Sequence, residues 1–189
     1  MLRNLRAVAT GIFVRWLNSH GSLRIFPMLR IKFFTTGGTI DKVYFDAKSE
    51  FEVGSPQVLE VIREANVAFE YEIESILRKD SLDMTDTDRA LVRERVAADP
   101  CPLIVVTHGT DTMVQTGRAL AGIPGKTIVL TGSMQPARFR VTDASFNIGT
   151  AIGAVQSLPH GVYIVMNGRV FDPLKTRKNV EENCFEEEQ

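Results

Sequence analysis

The chain has 189 residues, 44% of them apolar, and a formal net charge of −1. This length suits one domain with a proper core, and a charge near zero gives no reason to expect nucleic acid or an anionic membrane as partner. Cys101 and Cys184 lie far apart and His20, His108 and His160 are scattered, which argues against a disulfide scaffold and a zinc signature and suits a reducing, cytoplasmic setting.

No apolar run approaches the roughly 20 residues of a membrane span. Residues 1–27 contain Arg3, Arg6, Arg15 and Arg24 and no acidic residue. An Arg-rich, acid-poor stretch resembles a transit leader, while Arg15 interrupts the apolar core that a secretory signal needs. The preferred reading is a start at Met28, with 1–27 an extension outside the domain and 28–189 the domain itself.

Leu29 to Thr35 reads as a strand, stopped by Gly37-Gly38. A polar loop runs from Thr36 to about Gly54, long enough to suggest function. Ser55-Pro56 is a helix entry, with Ser as N-cap and Pro in the first turn, and that helix runs to about Ala65. Val67, Phe69, Tyr71 and Ile73 alternate with Ala68, Glu70, Glu72 and Glu74, predicting a half-exposed strand. After a loop at Ser81-Leu82-Asp83-Met84, Thr85 with Asp88 resembles a capped helix start, and that helix ends near Asp99-Pro100.

Pro102 to Thr107 is the next strand, followed by a His108-Gly109-Thr110-Asp111 turn and a helix from about Thr112 to Ala121. Lys126 to Leu130 is a further strand, ending in Thr131-Gly132-Ser133. Residues 142–157 form a helix whose Gly149 and Gly153 are spaced for close backbone packing. Gly161 to Met166 is the last core strand. Asn167-Gly168 marks a tight turn into Arg169-Val170-Phe171, a C-terminal β-hairpin. The tail from Asp172 is charged and poor in apolar residues. Strands alternating with helices predict an α/β fold: an open, mostly parallel sheet with helices on both faces.

In such a sheet, ligands bind at the carboxyl ends of the strands. Three strand ends carry hydroxyls and glycine: Thr35-Thr36-Gly37-Gly38-Thr39-Ile40-Asp41, Thr107 to Met113, and Thr131-Gly132-Ser133-Met134-Gln135. Ser81-Leu82-Asp83 can join them. The plain alternative for the second is an ordinary turn with Thr110 or Asp111 as N-cap. Converging hydroxyls, carboxylates and N–H groups suit acyl transfer, in which a hydroxyl attacks a carbonyl and N–H groups hold the oxyanion. His108 sits next to the turn on the opposite face of the strand and reads as structural. A base for the hydroxyl is then a buried lysine or a polarised phenol, Lys178 or Tyr44, against the alternative of a solvated tail charge and a loop aromatic. Thr35 to Thr39 is neither a Walker A loop nor a dinucleotide fingerprint, and no cofactor or metal is expected.

With Thr36-Gly37-Gly38-Thr39-Ile40 and His108-Gly109-Thr110-Asp111-Thr112-Met113 in order, the chain resembles the bacterial-type L-asparaginase family. Ser81, Thr131-Gly132-Ser133-Met134-Gln135-Pro136, Val165-Met166-Asn167 and Lys178 support the resemblance, which spans about residues 29 to 180. It implies the single N-terminal-type domain of that family and hydrolysis of L-asparagine to L-aspartate and ammonia. Thr39 is then the nucleophile, and Thr110, Asp111 and Lys178 the proton relay. Asp111 also binds the substrate α-ammonium and Ser81 the α-carboxylate, with Gly109, Thr110 and Ser133 lining the substrate.

The chain stops at about the close of the family's first domain and so resembles a short-chain form of the family or a fragment of a longer member. The family's habit implies a homodimer or homotetramer, with neighbouring copies closing the site. Phe51 stands near where the family keeps a loop tyrosine, a role Tyr44 can take over. Leu82 replaces a glutamine, which predicts weak substrate binding. Two other readings share the motifs: the amidase subunit of a tRNA-dependent amidotransferase, and a non-catalytic amino-acid-binding module.

Overall fold

The computed structural model describes residues 8–10, 13–17, 23–27, 29–45 and 50–188, with side chains described for 29–43 and 53–188. Strands β1 (Val8–Thr10), β2 (Phe13–Leu17) and β3 (Leu23–Pro27) pair among themselves, antiparallel. The main sheet has six strands: β4 (Arg30–Gly37), β7 (Glu70–Lys79), β8 (Leu103–Thr107), β9 (Thr127–Thr131), β10 (Gly161–Met166) and β11 (Arg169–Phe171). Between β4 and β7 lie a small hairpin, β5 (Lys42–Phe45) with β6 (Glu50–Val53), and helix α1 (Val58–Glu64). Helices α2 (Asp86–Ala98), α3 (Met113–Leu120) and α4 (Ala144–Ser157) follow β7, β8 and β9. The chain closes with the hairpin β12 (Thr176–Asn179) and β13 (Cys184–Glu187).

The sheet order is β11-β10-β9-β8-β4-β7. All neighbours are parallel except β10 and β11, as expected from the alternating elements. Period-two alternation sends each strand's side chains into two separate cores. Phe34, Ile104, Val106, Ile128 and Leu130 pack with Val92 and Val96 of α2 and Met113 and Leu120 of α3. Ile31, Phe33, Val105, Val129 and Val165 pack with Val58 and Ile62 of α1 and Ala144, Ile148 and Val155 of α4. Helices therefore cover both faces. Each fully buried Phe, Ile or Leu contributes about 1.5–3 kcal/mol relative to exposure.

The chain leaves β4 through α1 to β7 on one side, then crosses through α2 to β8 on the other. The strand order thus reverses between β4 and β8, which opens a crevice at their carboxyl ends.

Several local expectations are corrected. The stretch after Gly38 is a turn and a hairpin rather than one loop, because Gly54 N–H donates to the Asp41 carbonyl and closes the hairpin base. Helix α1 starts at Val58, not at Ser55-Pro56. The backbone N–H of its N-cap residue Gln57 donates to the Asp41 carboxylate at 2.8 Å, so a distant acid sets the entry. Strand β7 begins at Glu70 and runs on to Lys79, following the length of its partner β4. Gly149 and Gly153 make no close packing: a Cβ on either would meet nothing within 4 Å. The charged tail is an ordered hairpin, held because Phe185 enters the α2–α3 core.

Other expectations hold. The Thr85 hydroxyl accepts the Asp88 N–H and the Asp88 carboxylate accepts the Thr85 N–H, a reciprocal cap. Asn167 and Gly168 have φ of 52° and 78°, the paired positive values of a tight hairpin turn.

Candidate active site

Two strand ends touch at the crevice. The Thr36 hydroxyl donates to the Thr107 carbonyl at 3.1 Å and pins β4 to β8. Gly38, at φ 90°, lies against Gly109 so closely that a Cβ would collide with the Gly109 backbone. Gly109 is wedged in turn against Ser81: its own missing Cβ would strike the Ser81 side chain. Only two glycines allow three chain segments to meet here. The Thr112 hydroxyl donates to the Ser81 carbonyl at 2.7 Å and ties the third segment in place.

Thr39 opens the short 3-10 turn Thr39–Asp41, partly exposed at the mouth of the crevice. Thr110 is 4% exposed and lies on the β8–α3 turn. Lys178 reaches it from β12, 68 residues further along the chain: Nζ donates to the Thr110 hydroxyl at 2.8 Å. The same ammonium donates to Asp111 Oδ1 at 2.5 Å. The Lys178 side chain is 7% exposed and the Asp111 carboxylate 38%, so the pair is closed behind and open in front. Because the lysine occupies a lone pair of Thr110, the threonine O–H is left to donate elsewhere. The N-cap of α3 is Thr112 with no side-chain cap bond, so neither Thr110 nor Asp111 is spent on capping.

Ser81 is 1% exposed, and its hydroxyl has no hydrogen-bond partner among the described residues. A buried orphan hydroxyl in a crevice is costly unless something polar arrives. Leu82 beside it is 71% exposed. Ser133 is buried and donates to the Gln135 carbonyl at 2.5 Å, so its hydroxyl serves its own loop. Tyr44 and Phe51 are register partners across the β5–β6 hairpin, and their side chains lie outside the described residues.

His108 is fully buried. Nδ1 lies 2.7 Å from the Gly109 carbonyl, which can only accept, so this nitrogen carries the proton. Nε2 then accepts from the Thr116 hydroxyl at 2.8 Å. Burial drives its pKa down to about 4. The ring is neutral with both nitrogens engaged, which makes it a structural residue and not the base.

Two acids carry parts that sequence reasoning did not assign. Asp143 accepts the N–H groups of Met134 and Gln135 and an N–H of Asn147, and so shapes the loop after β9. Its place just ahead of α4 was the available signal. Asp41 is buried, and desolvation pushes its pKa up to about 6. Nothing local in the sequence marks that burial. Among the described residues, no group of His, Cys, Asp or Glu is arranged to hold a metal ion.

The family model described as "Asparaginase, N-terminal" matches residues 30–187. An L-asparaginase of Thermococcus kodakarensis is 31% identical over 142 residues, covering 71% of this chain and 43% of that protein. A glutamyl-tRNA(Gln) amidotransferase subunit of Methanococcus vannielii is 38% identical over 73 residues, 38% of this chain and 17% of that protein. The solved thermostable L-asparaginase from Thermococcus kodakarensis superposes with a TM-score of 0.73 at 26% identity, covering 84% of this chain and 51% of that one. The chain thus spans about half the length of the L-asparaginases it matches.

Proposed function

The chain belongs to the asparaginase family, and from that premise we propose that it is an amidohydrolase converting L-asparagine to L-aspartate and ammonia through a threonine ester. The observation that carries this reading is the convergence of Lys178 on Thr110 and Asp111, beside the turn that presents Thr39. A non-catalytic amino-acid-binding module has no need of two threonines and a dry lysine.

In this reading the Thr39 hydroxyl attacks the side-chain amide carbon. The new C–O bond forms, the C–N bond breaks, and the threonine proton passes through Thr110 and Lys178 to the nitrogen, which leaves as ammonia. Water then adds to the ester, the C–O bond breaks, and the proton returns to Thr39. Tyr44 is the alternative group for taking the first proton. Asp111 turns its half-open carboxylate to the substrate α-ammonium. The orphan Ser81 hydroxyl receives the α-carboxylate. Gly109, Thr110 and Ser133 line the amide, and backbone N–H groups among them hold the oxyanion. Leu82, exposed at the rim, offers the substrate no polar contact, which weakens binding.

The site is closed by a neighbouring copy in a homodimer or homotetramer, and light scattering on active protein checks this. A cytoplasmic setting is consistent with two free cysteines. Among the described residues no helix is long and apolar enough to cross a membrane. Similarity to the Methanococcus vannielii amidotransferase protein keeps a second reading, in which the ammonia is delivered to a partner protein.

The test is ammonia release by the full chain from L-asparagine and L-glutamine in parallel. Turnover that disappears in Thr39→Ala supports the amidohydrolase. Asparagine binding without turnover in the wild type favours the binding module, and turnover only with a partner protein favours the amidotransferase.

A further inference from the structure

The turn that carries Thr39 is held by a ring of hydrogen bonds that touches none of the reacting atoms. Asp41 lies two residues beyond Thr39, 2% exposed. Its carboxylate accepts the Gln57 N–H at 2.8 Å. The Gln57 side chain, itself 4% exposed, accepts from Arg138 Nε at 3.0 Å. Next to Arg138, the Ala137 N–H donates to the Ile40 carbonyl at 3.1 Å, which leads back to Asp41 and closes the ring. Two further bonds brace the same turn: Asp41 N–H to the Gly38 carbonyl at 3.1 Å, and Gly54 N–H to the Asp41 carbonyl at 2.8 Å. Ile40 between them is fully buried in the core beneath α1 and α4.

The geometry points to Asp41 as the positioning residue for the Thr39 hydroxyl, acting through the Gln57–Arg138–Ala137 ring, and this inference rests on the proposed role of Thr39 as nucleophile. Three elements meet at Asp41: the 3-10 turn itself, the base of the β5–β6 hairpin and the entry of α1. Were the turn only to need a stop after β4, the Gly38 and Gly54 bonds would suffice. A carboxylate buried at this spot is costly, and Gln57 and Arg138 are also spent on it. The return is orientation: a nucleophile displaced by a fraction of an ångström loses rate without losing substrate affinity.

The experiment compares ammonia release from L-asparagine by full-length wild type, Asp41→Ala and Asp41→Asn, with exchange of the Ala137 amide followed in each. Asp41→Ala is expected to lower kcat at least 30-fold with KM within two-fold, and to speed Ala137 exchange at least ten-fold. Asp41→Asn keeps an acceptor oxygen and should restore kcat to within five-fold of wild type. A folded Asp41→Ala with kcat within two-fold of wild type, or a loss carried by KM, overturns the proposal. Equal loss in Asp41→Ala and Asp41→Asn does the same. If Asp41→Ala does not fold, Arg138→Leu breaks the ring at an exposed link, and an unchanged kcat there is equally fatal. A wild type that releases no ammonia sinks the amidohydrolase and with it the positioning role of Asp41 in catalysis, whereas unchanged Ala137 exchange in a folded Asp41→Ala sinks the hold of Asp41 on the turn in an enzyme that is otherwise active.

Discussion

The side chains of Lys32 and Lys178 are buried at opposite ends of the central strands, and they are handled differently. Lys32, near the start of β4, is 3% exposed and faces the carboxylates of Glu72 at 2.8 Å, Glu74 at 3.1 Å and Asp99 at 3.4 Å. Its ammonium also lies over the Phe34 ring at 5.1 Å. Burial works against its charge, yet the Glu72 and Glu74 carboxylates outweigh that and hold its pKa above the ordinary value. Lys178, beyond the carboxyl ends, has one carboxylate and one hydroxyl. The first lysine is saturated with acceptors and fastens β4 to β7. The second shares its acceptors with groups that open onto a crevice, and an ion pair arranged so can exchange partners when a substrate enters. Burial of a cation is therefore not by itself a sign of chemistry; what the partners are free to do decides.

The sharpest break of this contrast is Lys178→Met, expected to lower kcat on the order of 10³-fold, the usual scale for removing a proton-transfer group, while melting temperature stays near wild type. Steady-state kinetics with thermal unfolding checks it. Loss of fold with little loss of specific activity would make Lys178 a second Lys32.

Next in size is a pH effect from two buried groups of opposite sign. Asp41 has its pKa raised by burial to about 6, so the folded state holds a proton that the unfolded state gives up. Its contribution is complete below its unfolded value and is lost as pH rises toward 6, about 3 kcal/mol in all. His108 is lowered by burial to about 4, so the folded state holds fewer protons than the unfolded one. Its contribution of about 3 kcal/mol grows as pH rises from 4 to 6.5. The two nearly cancel, and wild-type stability should be flat across that window as far as these groups decide it. Asp41→Asn removes one of them. Its stability should climb by roughly 3 kcal/mol from pH 4 to 6.5, measured by urea unfolding, and exceed wild type at neutral pH.

Lys32→Met tests the other end. It should cost about 2 kcal/mol, because Glu72 is half exposed and water shares the loss, and leave kcat unchanged. The smallest effect is Thr85→Ala, which removes the α2 cap for about 1 kcal/mol, or roughly 2–4 °C in melting temperature, far from either lysine.

Much of the sheet was legible in the chain because its cues are local. Apolar alternation and runs marked β4, β8, β9 and β10, and Asn167-Gly168 marked the return to β11. His108, read as structural from its place beside the turn, is buried with both ring nitrogens engaged. The start of α1 was misplaced because a carboxylate 16 residues upstream holds Gln57. Close packing was expected of Gly149 and Gly153, but α4 turns them away from the sheet. The hairpin that carries Lys178 looked like a charged tail, since one buried side chain, Phe185, anchors it and leaves no periodicity to read.

What the amino-acid order determined by itself is the set of elements and the chemistry at their ends: glycine and hydroxyls after β4 and β8, an acid after Thr110, a lysine near the C-terminal end of the chain. Residue type and short-range spacing suffice for that, because backbone sterics and side-chain period act within a few residues. Only the tertiary structure decided that β4 lies between β7 and β8, that Gly38 rests on Gly109, and that Lys178 lands on Thr110 and Asp111. Those outcomes depend on which apolar faces bury one another across many tens of residues, and no local pattern encodes that choice.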